Sequence, residues 1–301
     1  MTSNLVQHLQ SGRLLVLDGA TGTELERRGF LLQPPVWSAA VLWEAPETLQ
    51  EIHRDYAAAG ARLITANTFR THARNLAAGN RQQQAARWTE VAVRLARDAV
   101  DESVWVAGSQ APLGDCYEPD QTPGDVQQML AEHRAHARNL ARAGVDAILV
   151  ETQITIREAV AATQAAAETG LPVLTSFACR GDGRLISGES VFAAAQAVRA
   201  FSPAALLLNC LPARAIPVAL AELARAAEGL PYGLYPNTGH CDESGAWSDT
   251  ELRDAAVLGS AAVEWFQGGA RLIGGCCGTT PEHVLRLKDA ILSAESRSPR
   301  G

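Results

Sequence analysis

An apolar run recurs eight times along this chain, and each run ends in polar residues or glycine. This feature constrains the fold most strongly, because short and nearly continuous apolar runs are typical of parallel strands buried on both faces. The predicted strands are Leu14–Asp18, Leu63–Asn67, Val104–Ser109, Ala147–Glu151, Pro172–Ser176, Ala205–Asn209, Gly233–Asn237 and Arg271–Gly275.

Segments with helical periodicity separate these runs. In Glu47–Ala59, the residues Leu49, Ile52 and Tyr56 fall on one helical face. Most of the predicted helices stop at a glycine just before the next strand, and glycine accepts the left-handed conformation that closes a helix. The other predicted helices are Val126–Ala143, Ile156–Thr169, Val191–Ala200, Ala213–Glu228, Thr250–Phe266 and Pro281–Ala294, and the closing glycines are Gly60, Gly144, Gly170, Gly229 and Gly268–Gly269.

Alternating strands and helices predict a parallel sheet with right-handed crossovers. Eight such units in 301 residues fit a (β/α)8 TIM barrel, which needs roughly 250 residues plus extensions. An open doubly wound sheet is the alternative, but no Gly-x-Gly-x-x-Gly turn follows the first strand. Because no linker stands out, we predict a single domain over residues 1–301, with a core at about 14–290 and a loose tail at 295–301.

The charge balance excludes several classes of partner. The chain has 26 Lys and Arg residues and 33 Asp and Glu residues, a formal net charge of −7. This balance argues against nucleic-acid binding and against an anionic membrane surface.

The polar segment Met1–Arg13 lacks the apolar core of a signal peptide, and no apolar run approaches the ~18 residues of a membrane span. We therefore expect a cytoplasmic protein with small-molecule partners. No sequence feature indicates an oligomeric state.

In a barrel of this type, the active site is built at the carboxyl ends of the strands. Residues at those ends that carry polar groups or sulfur are therefore the candidate site residues. They are Asp18, Asn67, Thr68, Ser109, Gln110, Glu151, Thr152, Ser176, Cys179, Asn209, Cys210, Asn237, His240, Cys276 and Cys277.

Three of the six cysteines predict a metal centre. Adjacent residues on a regular strand point to opposite faces, so Cys276 and Cys277 can bind one metal only where the strand breaks, and the flanking glycines permit that break. Cys210 would add a third thiolate from another strand end. Three thiolates suit Zn²⁺ and leave one coordination position open, as in catalytic sites. Cys116 and Cys179 are interpreted as buried core residues, and the role of Cys241 is left open.

Several motifs resemble those of the homocysteine S-methyltransferase family. They are LDGATGTEL at Leu17–Leu25, VWSAAVL at Val36–Leu42, LLNC at Leu207–Cys210, YPNTG at Tyr235–Gly239 and GGCCGTTPEH at Gly274–His283. The similarity runs from about Leu15 to Leu287, and the paired cysteines with the upstream Asn-Cys are its most specific part. The family's fold is a (β/α)8 barrel, in agreement with the strand and helix pattern.

The resemblance implies a role for each matching residue. Cys210, Cys276 and Cys277 correspond to the three zinc ligands, and Asp18 and Glu151 correspond to the acids near the amino group of homocysteine. The backbone of Gly19, Ala20 and Thr21 corresponds to the segment that holds the homocysteine carboxylate. Asn209, beside Cys210, is expected either to orient the loop or to support the ligand.

The implied reaction is zinc-dependent transfer of a methyl group to the homocysteine thiolate, giving methionine. Members of the family use S-methylmethionine, S-adenosylmethionine, betaine or a methylated corrinoid as donor. The length of this chain resembles the S-methylmethionine-using branch, whereas Thr65–His72 is more similar to the betaine and corrinoid-linked members. A sulfonium donor favours aromatic or acidic neighbours. The candidates are Trp37, Tyr117, Glu118 and Trp247.

Other interpretations remain open. The chain could methylate a different thiol or a selenol, or it could be a non-catalytic zinc-dependent binding partner in a corrinoid system. The loop Ser109–Pro119 departs from the usual Gly-Pro-Tyr-Gly turn of the family, so its contribution to the donor side is left open. The roles of His240 and Asn67 are left open as well.

Overall fold

The computed structural model describes residues 5–34, 36–241 and 247–297. Its centre is a parallel sheet with the strand order β1-β10-β7-β6-β5-β4-β3-β2. A parallel bridge between Leu17 and Leu63 joins the two ends of this sheet, so the strands form a barrel. The strands are β1 (Leu15–Val16), β2 (Leu63–Ala66), β3 (Trp105–Gln110), β4 (Ala147–Gln153), β5 (Val173–Ala178), β6 (Ala205–Asn209), β7 (Tyr232–Tyr235) and β10 (Leu272–Ile273). All eight predicted strands are confirmed.

The helices surround this barrel. They are α1 (Leu5–Gln10), α2 (Thr21–Arg27), α3 (Val41–Glu44), α4 (Pro46–Ala59), α5 (Ala73–Ala77), α6 (Ala85–Asp98), α7 (Val126–Ala143), α8 (Ile156–Ala167), α9 (Val191–Val198), α10 (Ile216–Ala227), α11 (Ala255–Gln267) and α12 (Pro281–Arg297). The predicted closing glycines Gly60, Gly144, Gly170, Gly229 and Gly269 all have positive φ. No helix in the described ranges is long and apolar enough to cross a membrane.

Strand residues alternate between two apolar cores. In β4, Ile148 and Val150 belong to the core between the sheet and the helices. Their neighbours Ala147 and Leu149 belong to a second core that fills the barrel. This alternation follows from the two-residue period of a strand. Since Leu5 and Leu9 of α1 join the inner core, that helix packs against the barrel interior.

The sequence prediction missed some elements and displaced others. Helix α6 lies between β2 and β3, and its buried residues Trp88, Ala92 and Ala96 recur every four positions, a signal that was present in the sequence. The antiparallel strands β8 (Gly239–Cys241) and β9 (Trp247–Asp249) were also missed. The predicted helix from Thr250 is interrupted, because Asp254 caps a new helix by accepting hydrogen bonds from the first turn of α11.

The end of the chain differs from the prediction in part. Helix α12 continues to Arg297, so residues 295–297, which the sequence prediction places in a loose tail, are helical. Residues 298–301 lie outside the described ranges.

Candidate active site

A cavity of about 300 Å³ lies at the carboxyl ends of the strands. Its wall is formed by residues at the ends of β1, β2, β3, β4, β6, β7 and β10 and by the loops that follow them. The structure brings most of the predicted site residues together here. Those that line the cavity are Asp18, Gly19, Ala20, Thr21, Asn67, Ser109, Glu151, Thr152, Cys210, Cys276 and Cys277.

The three predicted metal ligands form one cluster in this wall. The sulfur atoms of Cys210, Cys276 and Cys277 lie within 4.8 Å of one another, and all three thiols are free. The Cys210 and Cys276 sulfurs are 2.8 Å apart, which is longer than the ~2.05 Å of a disulfide bond. Four-coordinate Zn²⁺ with Zn–S distances of ~2.3 Å has sulfur atoms separated by about 3.8 Å. The three sulfurs are therefore near enough to contact one ion, and the Cys210 and Cys276 sulfurs would separate by about 1 Å to reach tetrahedral zinc geometry.

The strand break that the paired cysteines need is present. Strand β10 ends at Ile273, and the Cys276 N–H donates to the Pro236 carbonyl oxygen at 2.8 Å. The Cys277 N–H donates to Asn237 Oδ1 at 3.0 Å. Gly278 follows with φ +83°, and a Cβ there would lie 2.0 Å from Thr238 Oγ1. This hydrogen-bonded turn removes the strand alternation, so both sulfurs can face the same side.

Two backbone irregularities change the direction of side chains in the cavity wall. The pairing of β4 with β5 shifts between Val150 and Gln153, and Thr152 has φ +57° within this bulge. Ala147 and Leu149 belong to the inner core, so strand alternation already directs Glu151 inward. Bulges commonly redirect side chains next to active sites, and here the bulge adds Thr152 to the cavity wall. Cys210 follows β6 with φ +48°, so its thiol departs from the direction that continued strand alternation would give it.

The two predicted acids are buried and hydrogen-bonded. Asp18 accepts hydrogen bonds from the Thr65 N–H at 2.7 Å and from Thr65 Oγ1 at 3.1 Å. Glu151 accepts hydrogen bonds from the Ser109 hydroxyl and from Tyr235 Oη, the latter at 3.1 Å. Among the described residues, no basic side-chain nitrogen lies within 4.0 Å of either carboxylate. The pair therefore offers negative charge to a cation from outside the protein.

Burial is also the main reason that these acids titrate unusually. It raises the pKa of Asp18 to about 7 and the pKa of Glu151 to about 7. The negative charge of Glu151 adds to the rise of the Asp18 pKa, while the hydrogen bonds from Thr65 oppose that rise. The hydrogen bonds from Ser109 and Tyr235 oppose the rise of the Glu151 pKa. Both carboxyls are therefore poised to change their protonation state near neutral pH.

The segment after Asp18 is only partly available to a ligand. The Ala20 N–H donates to Thr279 Oγ1 at 3.2 Å, and the Tyr56 hydroxyl donates to the Ala20 carbonyl oxygen at 3.0 Å. These bonds attach the segment to the loop after β10 through Thr279 and to helix α4 through Tyr56. The Ala20 N–H is therefore already in use, although Gly19, Ala20 and Thr21 all line the cavity.

Asn209 lies behind the cavity rather than in its wall. Its Oδ1 accepts hydrogen bonds from the Thr152 N–H at 3.0 Å and from Ser176 Oγ at 2.7 Å. Its Nδ2 donates to Thr152 Oγ1 at 2.8 Å. The side chain is fully buried, so Asn209 positions the bulge that carries Glu151.

We expect Asn209→Ala to lower the free energy of unfolding by about 2–4 kcal/mol, because it leaves the Thr152 N–H unsatisfied and opens a small void. The same change should lower activity by displacing Glu151. Thermal unfolding and a steady-state assay would measure both effects. Asn209→Asp retains the two accepting interactions at Oδ1 and should lose less stability. An alanine variant as stable as the wild type would contradict the positioning role.

Several other predicted residues have structural partners. Thr68 donates to the Ser109 carbonyl oxygen at 2.9 Å, and Asn67 donates to the Ser38 carbonyl oxygen at 2.8 Å. Cys179 is buried in the outer core, as predicted. Cys116 is buried as predicted, but it also lines the cavity. The Cys241 side chain lies outside the described part of the chain.

Of the aromatic and acidic residues proposed for a sulfonium donor, Trp37 and Tyr117 line the cavity. Glu118 and Trp247 are not among the described residues of its wall. His240, in β8, is half-buried and is likewise not among them. Arg70, which has no role among the sequence predictions, also lines the cavity. Its position just after the predicted strand Leu63–Asn67 could have identified it as a candidate site residue.

A family model described as homocysteine S-methyltransferase matches residues 15–291. The chain belongs to the homocysteine S-methyltransferase family. Homocysteine S-methyltransferase YbgG of Bacillus subtilis is 34% identical over 94% of this chain and 96% of its own length. Homocysteine S-methyltransferase of Escherichia coli is 35% identical over 91% of this chain and 94% of its own length.

Solved structures of the homocysteine S-methyltransferase family have the same fold. The metallated form of the homocysteine methyltransferase MmuM from Escherichia coli superposes with a TM-score of 0.81 and 30% identity. That alignment covers 95% of this chain and 99% of the MmuM chain. The (β/α)8 barrel predicted from the sequence is therefore confirmed, and this chain is a methyltransferase of that family.

Proposed function

We propose that this protein transfers a methyl group from a sulfonium donor to the thiol of homocysteine, giving methionine, with zinc held by Cys210, Cys276 and Cys277. The observation that carries this proposal is one cavity that contains both a three-thiol cluster and two buried acids without a basic partner. Homocysteine carries a thiol, which suits the three-thiol metal site, and an ammonium group, which suits the two acids. Small molecules are thus the proposed partners.

The donor set fits zinc for a chemical reason. Three thiolates are soft ligands, and three protein ligands leave one position of a tetrahedral site open. When bound there, zinc would deprotonate the homocysteine thiol and keep it as a nucleophile near neutral pH. Such a site requires reduced cysteines, which agrees with the cytoplasmic location expected from the sequence.

The chain's own residues would bind and orient the acceptor. Asp18 and Glu151 would attract its ammonium group, since charge-assisted hydrogen bonds are strongest where water is excluded. Ser109 and Tyr235 fix the direction of the Glu151 carboxylate. The family resemblance assigns the acceptor carboxylate to the segment Gly19–Thr21. Together these contacts would hold the sulfur in line with the donor methyl group.

The transfer step is a direct displacement. An electron pair of the homocysteine sulfur forms the bond to the methyl carbon, and the bond from that carbon to the donor sulfonium breaks. Its electron pair stays on the donor sulfur, which leaves as a neutral thioether. Trp37 and Tyr117 would face the positive charge of the donor, because aromatic rings attract cations.

The decisive experiment is methionine formation by the zinc-loaded protein. Homocysteine would be supplied with S-methylmethionine, S-adenosylmethionine or betaine in separate reactions, and methionine would be measured by mass spectrometry. We expect methionine from a sulfonium donor. Methionine from betaine alone would contradict the sulfonium assignment. Methionine from none of these donors would contradict the proposal and would favour another thiol or selenol acceptor, a corrinoid-linked donor or a non-catalytic role.

A further inference from the structure

Arg70 is the one Lys or Arg among the described residues of the cavity wall. It follows β2, is half-buried, and its guanidinium lies 5.1 Å from the centroid of the Phe69 ring. Within the described ranges, no carboxylate oxygen lies within 4.0 Å of this guanidinium. By contrast, Arg74 forms two hydrogen bonds with Glu132 nearby. Arg70 is therefore a cavity-lining cation without a carboxylate partner among the described residues.

The neighbours of Arg70 place it beside the loop after β3. Cys116 and Tyr117 from this loop line the same cavity, as does Trp37. Burial raises the pKa of the Cys116 thiol to about 12, and the positive charge of Arg70 opposes this rise. Arg70 thus lies near the loop that carries Tyr117, one of the aromatic residues proposed to face the donor.

The charges in the cavity restrict what Arg70 can bind. A guanidinium repels a sulfonium and an ammonium, so neither the methyl-bearing group nor an amino group is its partner. Its planar fork matches a carboxylate, with which arginine forms paired hydrogen bonds. The homocysteine carboxylate is already assigned to the segment Gly19–Thr21. A carboxylate on the other substrate remains as the matching group.

We propose that Arg70 binds the carboxylate of the methyl donor and selects donors that carry both a methyl-bearing cation and a carboxylate. This inference rests on the proposed function, because it assumes that the second substrate in the cavity is the donor. S-Methylmethionine, S-adenosylmethionine and betaine all carry such a carboxylate. Arg70 then acts as a specificity determinant, while Trp37 and Tyr117 face the cationic end.

The test compares two donors and two forms of the protein. S-Methylmethionine would be compared with its carboxamide, in which a neutral amide replaces the carboxylate, using the wild type and Arg70→Met. The wild type should prefer S-methylmethionine by about 10- to 100-fold in kcat/KM, the range expected for a hydrogen bond to a charged group. Arg70→Met should lose this preference by losing activity toward S-methylmethionine alone, with an unchanged KM for homocysteine.

Two variants make the result specific. Arg70→Lys keeps the positive charge but not the fork, so it should retain an intermediate preference. Arg87→Met is the matched control, because that guanidinium lies 5.0 Å from the Trp88 ring centroid and Arg87 is not in the described cavity wall. It should behave like the wild type. Zinc content and thermal unfolding would verify that each variant is folded.

Three outcomes would overturn the inference: an Arg70→Met variant that retains the preference, one that loses activity equally with both donors, or one whose main change is the KM for homocysteine. Donor binding would also be measured by calorimetry without homocysteine. If the wild type makes no methionine, the proposed function fails, yet binding of S-methylmethionine that is lost only in Arg70→Met would still support this inference. Binding that is insensitive to Arg70→Met would reject it.

Discussion

Replacement of Cys277 by serine is expected to remove the metal and to lower methionine formation by more than about 100-fold, beyond the 10- to 100-fold typical of residues that only support a ligand. A serine hydroxyl does not deprotonate as a thiol does on metal binding, and it is a harder ligand than zinc prefers in such a site. With two thiolates left, the cluster cannot hold the ion in its tetrahedral arrangement. Elemental analysis of zinc per chain and mass spectrometry of methionine would measure both losses.

Cys179→Ala is the matched control for this experiment. Cys179 is a free and buried thiol, but it lies in the outer core and not in the described cavity wall. This variant should keep its zinc and its activity, although it loses some stability through the void it creates. A Cys277→Ser protein with full zinc content and wild-type activity would exclude the three-thiol centre.

Replacement of Asp18 by asparagine is expected to raise the KM for homocysteine by about 10- to 100-fold at about pH 8, since a neutral amide attracts an ammonium group weakly. The change is nearly isosteric. The amide oxygen can still accept from the Thr65 N–H, and the amide nitrogen can donate to Thr65 Oγ1. The effect therefore reports on charge. Steady-state kinetics with varied homocysteine would measure it, and Glu151→Gln should act in the same direction.

The pH dependence of binding supplies a second readout for these acids. Because burial raises the pKa values of Asp18 and Glu151 to about 7, both lose negative charge as the pH falls through 7. The KM for homocysteine in the wild type should therefore rise below neutral pH. Asp18→Asn should weaken this dependence. Asp146→Asn is the control, because Asp146 precedes β4, at its amino end, where it pairs with Arg97.

The same pKa shifts predict how stability depends on pH. A carboxyl whose pKa is higher in the folded state binds its proton more tightly when folded. The contribution of this carboxyl to the unfolding free energy is therefore fully present below the unfolded pKa of ~4 and is lost as the pH rises through the folded value of about 7. In thermal unfolding at about pH 8, Asp18→Asn should be more stable than the wild type. A variant that lost both stability and homocysteine affinity at that pH would indicate a structural role instead.

The architecture of the barrel was largely encoded in local sequence patterns. Apolar runs such as Ala205–Asn209 and the glycines that close helices depend on neighbouring residues alone, so they could be identified one segment at a time. Because the strands are parallel, the barrel places all of their carboxyl ends on the same side. For this reason the cysteines and the acids Asp18 and Glu151 could be assigned to one site without coordinates.

The direction of each side chain was decided by the tertiary structure. Strand alternation alone places Asn209 inside the barrel and turns Cys210 away from it. The left-handed conformation of Cys210 brings its thiol to the cavity instead, while Asn209 remains buried behind the wall. That conformation depends on packing around the end of the strand, and no pattern within the sequence reports it.

The sequence by itself determined the fold, the family and most of the strand-end residues that line the cavity, because periodicity and motif spacing are local properties. The tertiary structure alone decided that a bulge brings Thr152 into the cavity wall beside Glu151, that Arg70 lines the cavity, and that Trp37 and Tyr117 line it whereas Glu118 and Trp247 are not among its described residues. The physical reason is that these placements depend on loops from different strands meeting at one mouth. Their backbone conformations are fixed by contacts between residues far apart in the chain.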